Sequence, residues 1–146
     1  MHKAAAATEP TAARIRDIAT EADRTKSRKL ILLTGVPGAG KTLVGLHTVH
    51  GHWLDELAVD RGTGKPPAPG VFLSGNGPLV EVLQYELRDA GGGGKLFVRD
   101  VKDYVKRYSS RPDLTPPEHV LVFDEAQRAF DRAMFANKHR VPIAEA

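Results

Sequence analysis

The sequence predicts an α/β protein with a mostly parallel sheet covered by helices, in three layers. Short apolar runs at residues 30–33, 71–73, 96–98 and 119–123 alternate with segments of helical periodicity. Such alternation is typical of strands joined by helical crossovers, which lie parallel in one sheet. A glycine-rich turn follows the first run and an acidic pair follows the last. Ligands of such sheets bind beyond the carboxyl ends of the strands, where both features fall.

The composition is that of an ordinary globular domain. The chain has 146 residues, of which 41% are hydrophobic and 27% charged, and its formal net charge is +3. It has no cysteine, which excludes disulfides, thiolate zinc sites and cysteine nucleophiles. No run approaches the roughly 20 apolar residues that cross a bilayer, so we expect no membrane segment. We therefore expect a cytoplasmic protein.

The N-terminal third is predicted to contain a helix, a strand and a second helix. Apolar residues recur at helical spacing over residues 10–24, and Thr8 or Thr11 is available as the N-cap. Residues 30–33 form a continuous apolar run, which is typical of a strand buried on both faces of a parallel sheet. After the glycine-rich turn, a helix is expected over residues 41–54.

The rest of the chain repeats the strand-and-helix pattern. Residues 60–70 are rich in glycine and proline and predict a loop, and Pro78 suits the first turn of a helix that runs to about residue 89. Asp100 is expected to cap a further helix, and a last helix is expected over residues 127–137. The helix after Asp100 places four residues on one apolar face: Val101, Tyr104, Val105 and Tyr108.

Residues 35–42 satisfy the Walker A pattern G-x-x-x-x-G-K-[ST], between an apolar run and a predicted helix. Glycines let the backbone curl so that successive amides point at an anion, and the following helix adds its positive dipole end. We expect the Lys41 ammonium to reach the β- and γ-phosphates and the Thr42 hydroxyl to ligate Mg²⁺. The predicted phosphate-binding residues are Gly35, Gly38, Ala39, Gly40, Lys41, Thr42 and Leu43.

Asp124 and Glu125 supply the second half of such a site, at the end of the last apolar run. We expect Asp124 to hold Mg²⁺, directly or through water, and Glu125 to orient and polarise the attacking water. Lys41 and Glu125 are therefore the predicted catalytic residues. Guanine recognition calls for Asn-Lys-x-Asp, but Asn137 and Lys138 are followed by His139 and Arg140. ATP is therefore favoured over GTP.

Together these motifs predict an incomplete P-loop NTPase domain of the RecA-like kind. We expect residues 1–28 to form an N-terminal helix and lead-in, and residues 29–146 to form the NTPase domain, truncated after the acidic pair. The expected ligands are ATP and Mg²⁺.

Three ordered blocks, at residues 34–46, 72–80 and 117–131, resemble the bacterial Schlafen group 3-like DNA/RNA helicase domain family. The resemblance covers residues 30–131 and is far more specific than the Walker A pattern alone. It implies a superfamily 1 helicase-like motor. The sequence Asp-Glu-Ala-Gln at residues 124–127 then matches helicase motif II, in which Gln127 couples the nucleotide to neighbouring elements.

The resemblance also implies partners. Ser74, Gly75 and Asn76 stand where motif Ia contacts a single strand of DNA or RNA, and an amide-rich turn before a helix suits a phosphate. A two-lobed helicase needs a second RecA-like lobe. Only about 20 residues follow Glu125, which leaves no room for that lobe. We therefore expect one part of a motor lobe, with the second lobe supplied in cis or in trans. An upstream adenine-reading glutamine is also missing, because the chain contains only Gln84 and Gln127.

Two functions of different classes remain open at this point. The first is an ATP-binding motor lobe that hydrolyses ATP weakly and acts on DNA or RNA. The second is a nucleotide-dependent interaction module, in which ATP switches the conformation for a partner and hydrolysis is incidental. A small phosphotransferase is disfavoured, because no acceptor pocket or lid segment is evident.

Overall fold

The computed structural model describes residues 2–57, 69–89 and 97–126, with side chains from Thr8 onward apart from that of Asp89. From residue 70 onward the elements within these ranges alternate between strand and helix, as predicted. In chain order they are α1 (His2–Arg24), α2 (Lys41–His50), a 3₁₀ helix (His52–Leu57), β1 (Gly70–Ser74), α3 (Gly77–Asp89), β2 (Val98–Asp100), α4 (Val101–Ser109) and β3 (Val120–Asp124).

The three strands form one parallel sheet in the order β2-β1-β3. Phe72 lies opposite both Val98 of β2 and Val122 of β3, and Ser74 lies opposite both Asp100 and Asp124. Every residue of the central strand β1 is buried. Burial on both faces is what a continuous apolar run in a parallel sheet predicts. The predicted fold class, α/β with a parallel sheet, is therefore confirmed, and the sheet is consistent with an incomplete RecA-like fold.

Helices cover both faces of the sheet, which gives the three expected layers. On one face Phe72 packs with Val49 of α2 and Val80 of α3. On the other face Val71 and Leu73 pack against α4, whose contacts come from the four residues predicted to share its apolar side: Val101, Tyr104, Val105 and Tyr108. Neighbouring residues of β1 thus pack into hydrophobic clusters on opposite faces of the sheet, because successive side chains of a strand point to opposite faces.

Helix α1 packs on α2 and on the 3₁₀ helix. It begins at His2 and carries Pro10 in its interior, so the predicted start at Pro10 and the predicted N-caps Thr8 and Thr11 are wrong. The alanines at positions 4–7 are the strongest helix formers and extend the helix upstream. Thr8 is instead buried within the helix.

The apolar run at residues 30–33 does not form a strand, so this prediction is wrong. Residues 27–36 carry no regular secondary structure, and Leu30 and Leu32 are 87% and 79% exposed. The run lines a cavity that β3 also lines, but it makes no ladder with β3. An apolar run predicts burial, whereas a strand also needs a neighbour within hydrogen-bonding distance, and within the described ranges none stands there.

Other boundaries differ from the predictions by a few residues. Helix α2 ends at His50 rather than residue 54, because Gly51 adopts an extended conformation (φ −73°, ψ 132°) and a 3₁₀ helix follows. Strand β2 begins at Val98 and includes Asp100, which also caps α4 by accepting hydrogen bonds from the amides of Lys102 and Asp103 at 2.7 and 3.3 Å. The Asp100 cap was predicted and is confirmed.

Several predictions fall outside the described ranges. These are most of the loop at residues 60–70, the last helix at residues 127–137, and Gln127. Among the helices that the structure does describe, none combines the length and the apolar character that a membrane crossing requires.

Candidate nucleotide-binding site

The predicted phosphate loop and the predicted acidic strand end meet at the carboxyl edge of the sheet. The Thr42 hydroxyl lies 3.1 Å from Oδ1 of Asp124, although the two residues are 82 positions apart in the sequence. Thr42 is in the first turn of α2, and Asp124 is the last residue of β3. Because all three strands are parallel, Asp100, Ser74 and Asp124 end side by side at this same edge.

The loop has the backbone that the glycines predict. Gly38 and Gly40 both adopt left-handed conformations, with φ of 76° and 87°. Such values cost an L-residue with a side chain about 1–2 kcal/mol. The amide of Ala39 donates to the carbonyl of Val36 at 3.1 Å, which closes the turn. The N-cap of α2 is Gly40, which has no side chain to cap the helix, so the first amides of α2 face the loop uncapped.

The Lys41 side chain folds back over the loop. Its Nζ donates to the carbonyl oxygens of Gly35 and Val36 at 2.8 and 3.0 Å. Gly35 is packed closely as well, because a Cβ there would lie 3.4 Å from the Cβ of Ala39. The ammonium is therefore held on two carbonyl oxygens of the loop itself.

Glu125 follows Asp124 in a strained backbone conformation. Its φ is 54°, a left-handed value that is uncommon for a residue with a long side chain. The residue is exposed, next to the carboxylate of Asp124 at the end of β3. Strain of this kind collects at functional sites, where surrounding structure imposes it. Leu43, the last predicted residue of the loop, is 48% exposed on α2.

A cavity of about 1230 Å³ opens beside the loop. One end is polar and is lined by Gly38, Gly40, Lys41, Thr42, Asp124 and Glu125. The remainder is largely apolar, with walls from α1, residues 30–33 and β3. Of the residues predicted to hold phosphate and metal, Gly38, Gly40, Lys41, Thr42, Leu43 and Asp124 line this one cavity, whereas Gly35 and Ala39 are not among its lining residues.

The predicted nucleic-acid residues are the last residue of β1 and the two that follow it, at the same edge of the sheet. The Ser74 side chain is buried, and its Oγ accepts a hydrogen bond from the amide of Asn76 at 3.2 Å. The Asn76 carbonyl oxygen Oδ1 in turn accepts from the amide of Leu79 at 3.4 Å, in the first turn of α3. Ser74 therefore shapes the turn and does not offer its hydroxyl at the surface. Gly75 and Asn76 are the exposed members of the predicted set.

Sequence patterns missed a buried polar cluster beside the start of β3. The Glu118 carboxylate is fully buried; its Oε2 accepts a 2.9 Å hydrogen bond from the Tyr104 hydroxyl, and its Oε1 lies 3.6 Å from Nη1 of Arg99. Burial, and then the hydrogen bond to Glu118, raise the pKa of the Tyr104 phenol well above its usual range. The only sequence signal is a carboxylate between two prolines and an apolar strand. The cluster ties the segment before β3 to β2 and α4.

Comparison with protein families identifies a relationship. A family model described as Schlafen group 3, DNA/RNA helicase domain, matches residues 28–142. The match includes the loop and both acidic residues, and it begins after α1 ends at Arg24. Neither the comparison with curated proteins nor that with solved structures finds a match.

Proposed function

The chain belongs to the Schlafen group 3, DNA/RNA helicase domain, family, and we propose that it binds Mg²⁺·ATP as part of a helicase-like motor lobe. The observation that carries this proposal is the 3.1 Å contact between the Thr42 hydroxyl and the Asp124 carboxylate. The Walker A pattern alone predicts only an anion site. A carboxylate held against the hydroxyl of that pattern adds the second half that a metal–triphosphate needs.

The triphosphate is assigned to the curled loop. The first amides of α2 and the positive end of its dipole attract an anion, and the left-handed Gly38 and Gly40 give the loop its curvature. The Lys41 ammonium, now on the Gly35 and Val36 carbonyls, is one side-chain rotation from the space in front of the loop. It supplies the charge that β- and γ-phosphates require.

The residues present suit Mg²⁺ better than a metal that needs a full protein cage. Mg²⁺ is usually held by one or two carboxylates together with substrate phosphates and water. Asp124 and Thr42 offer one carboxylate and one hydroxyl, and no group of three or more His, Cys, Asp or Glu residues suited to a metal occurs among the described residues. Thr42 and Asp124 would hold the ion, which neutralises charge on the phosphates when bound.

Glu125 is the proposed base that orients the attacking water. It is exposed beside Asp124, with its backbone held in the left-handed conformation, at the polar end of the cavity. A carboxylate in this place suits a reaction in which positioning and charge neutralisation carry most of the catalysis. We propose weak hydrolysis by this chain alone, because the second lobe, in cis or in trans, is proposed to supply further cationic groups.

Single-stranded DNA or RNA is the proposed partner at the turn after β1. Gly75 and Asn76 are exposed before the N-terminus of α3, and backbone amides at such a place suit a phosphate of the strand. The turn shares the carboxyl edge of the sheet with the nucleotide site, because Ser74 and Asp124 are in register. A strand bound there would lie close enough to sense the nucleotide.

Turnover of ATP with and without single-stranded nucleic acid tests this function. We expect Mg²⁺-dependent hydrolysis that single-stranded DNA or RNA stimulates, and Glu125→Gln should keep ATP binding while abolishing turnover. Full turnover by Glu125→Gln would remove Glu125 from its role. Indifference to nucleic acid, together with ATP-dependent capture of a protein partner, would instead support a nucleotide-dependent switch.

A further inference from the structure

Helix α2 packs closely against the sheet at Gly45, which is buried. A Cβ at this position would lie 2.8 Å from Cγ1 of Val122 on β3 and 3.0 Å from Cε2 of Phe72 on β1. Two carbon atoms attract best at about 3.5–4.0 Å, so a Cβ at Gly45 would lie about 0.7 Å inside the optimal distance from Cγ1 of Val122. The backbone of α2 at Gly45 rests directly on the sheet.

Neither neighbour yields readily to an added methyl group. Phe72 is fully buried in the core between the sheet and α2, and it packs with Val49 and Val80. Val122 is β-branched, and its side chain has few rotamers to choose from. Helix propensity does not explain the glycine, since alanine is the better helix former. The absence of a side chain is therefore a requirement of the helix–sheet distance.

The helix–sheet distance at Gly45 bears on the metal ligands. Thr42 is three residues earlier, one turn toward the N-terminus on the same side of α2. Its partner Asp124 is two residues after Val122 on β3. A displacement of α2 away from β3 by about 0.7 Å, which would restore optimal carbon contact, would lengthen the 3.1 Å contact between Thr42 and Asp124 by up to the same amount, which is enough to break a hydrogen bond.

We propose that Gly45 is a positioning residue of the nucleotide site, which sets the approach of α2 to β3 and thereby holds Thr42 against Asp124. This inference rests on the proposed function, because it assigns a role within the proposed Mg²⁺·ATP site. Binding of the phosphates by the loop should not depend on Gly45. Lys41 and the Gly35 and Val36 carbonyls bond to one another within the loop, so they move with α2 as one piece.

The experiment compares ATP binding in Mg²⁺ and in EDTA, by titration of the full chain. The ratio of the two affinities measures how well the Thr42–Asp124 half of the site is formed. We expect Gly45→Ala to lower this ratio about tenfold, the lower end of the loss seen when a ligand's supporting contact is removed, and to leave affinity in EDTA unchanged. Gly77→Ala is the matched control, because a Cβ at Gly77 meets nothing within 4 Å.

A second substitution removes the contact from the other side. Val122→Ala takes away the Cγ1 atom that the new methyl group meets, so Gly45→Ala/Val122→Ala should recover most of the Mg²⁺ effect. Thermal unfolding of the two single variants and the double variant gives their coupling in stability. A purely structural clash predicts that coupling with no change in the Mg²⁺-to-EDTA ratio, so the ratio separates positioning from packing.

Three results would overturn the inference. Gly45→Ala with the wild-type ratio would show that the close approach does not position the ligands. Equal losses of ATP affinity in Mg²⁺ and in EDTA would show that the substitution disturbs the fold of the phosphate loop and not the metal ligands alone. A wild-type chain that binds no ATP under either condition would overturn the proposed function and, with it, this role of Gly45, an outcome distinct from the first two.

Discussion

Glu125 offers a test in which stability and catalysis change in opposite directions. Its φ of 54° costs a residue with a side chain about 1–2 kcal/mol relative to glycine. Glycine also has more freedom in the unfolded chain, which opposes the gain by about 0.4–1 kcal/mol. Glu125→Gly should therefore stabilise the fold by about 0.5–1 kcal/mol, offset in part by the interaction that the Glu125 side chain makes.

The assay is thermal unfolding together with ATP turnover. A gain of this size corresponds to a rise in Tm of about 1–4 °C for a domain of this length. The Tm of Glu125→Asn should fall between those of the wild type and Glu125→Gly, because asparagine tolerates left-handed backbone better than glutamate does. Both variants should lose turnover, since neither retains the carboxylate.

Lys26→Gly is the matched control. Lys26 has a φ of 51°, so it carries the same backbone strain, and it lies on the turn after α1 rather than at the end of β3. We expect a gain in Tm here too, reduced slightly by the loss of the exposed 3.1 Å contact between Lys26 Nζ and Asp23. A lower Tm for Glu125→Gly alongside a higher Tm for Lys26→Gly would refute the strain argument at Glu125. Turnover that survives in Glu125→Gly would refute its catalytic role.

Two further predictions concern Thr42 and the buried carboxylate. Thr42→Val keeps the shape of the side chain but removes the hydroxyl that lies 3.1 Å from Asp124. Titration should show that ATP affinity in Mg²⁺ falls about tenfold, whereas ATP affinity in EDTA is retained. Equal affinities in Mg²⁺ for the variant and the wild type would contradict the assignment of Thr42 as a metal ligand. Tyr104→Phe removes the 2.9 Å hydrogen bond to Glu118, and urea unfolding at neutral pH should show a loss of about 1–3 kcal/mol. Because burial raises the pKa of the Tyr104 phenol, the contribution of Tyr104 to the free energy of unfolding is complete below the unfolded-state pKa of about 10 and declines as pH rises toward the folded-state value. Tyr104→Phe should flatten this decline of stability with pH. An unchanged slope would contradict the raised pKa.

The sequence predicted the parts of the fold that depend on local chemistry. The buried strand β1, the helix after Pro78 and the Asp100 cap each follow from a few adjacent residues. The Walker A glycines predicted a curled backbone, and the left-handed conformations at Gly38 and Gly40 agree with that prediction.

The remaining features depend on partners distant in the sequence. Leu30 and its neighbours predict burial, but no described strand pairs with them, and a one-dimensional pattern does not contain that information. The burial of Glu118 depends on Tyr104 and Arg99 from two other elements. The close approach at Gly45 is equally invisible, because a glycine within a helical pattern signals lower propensity and nothing about the sheet beneath it.

The central claim is that the loop and the Asp124 carboxylate form one Mg²⁺·ATP site, and calorimetric titration of Mg²⁺·ATP tests it most directly. The comparison is between the wild-type chain, Lys41→Ala and the control Lys106→Ala, which removes an exposed ammonium from α4 on the opposite face of the sheet. We predict saturable binding to the wild type and to Lys106→Ala, and its loss in Lys41→Ala. Equal binding by wild type and Lys41→Ala, or no binding by the wild type, would contradict the account.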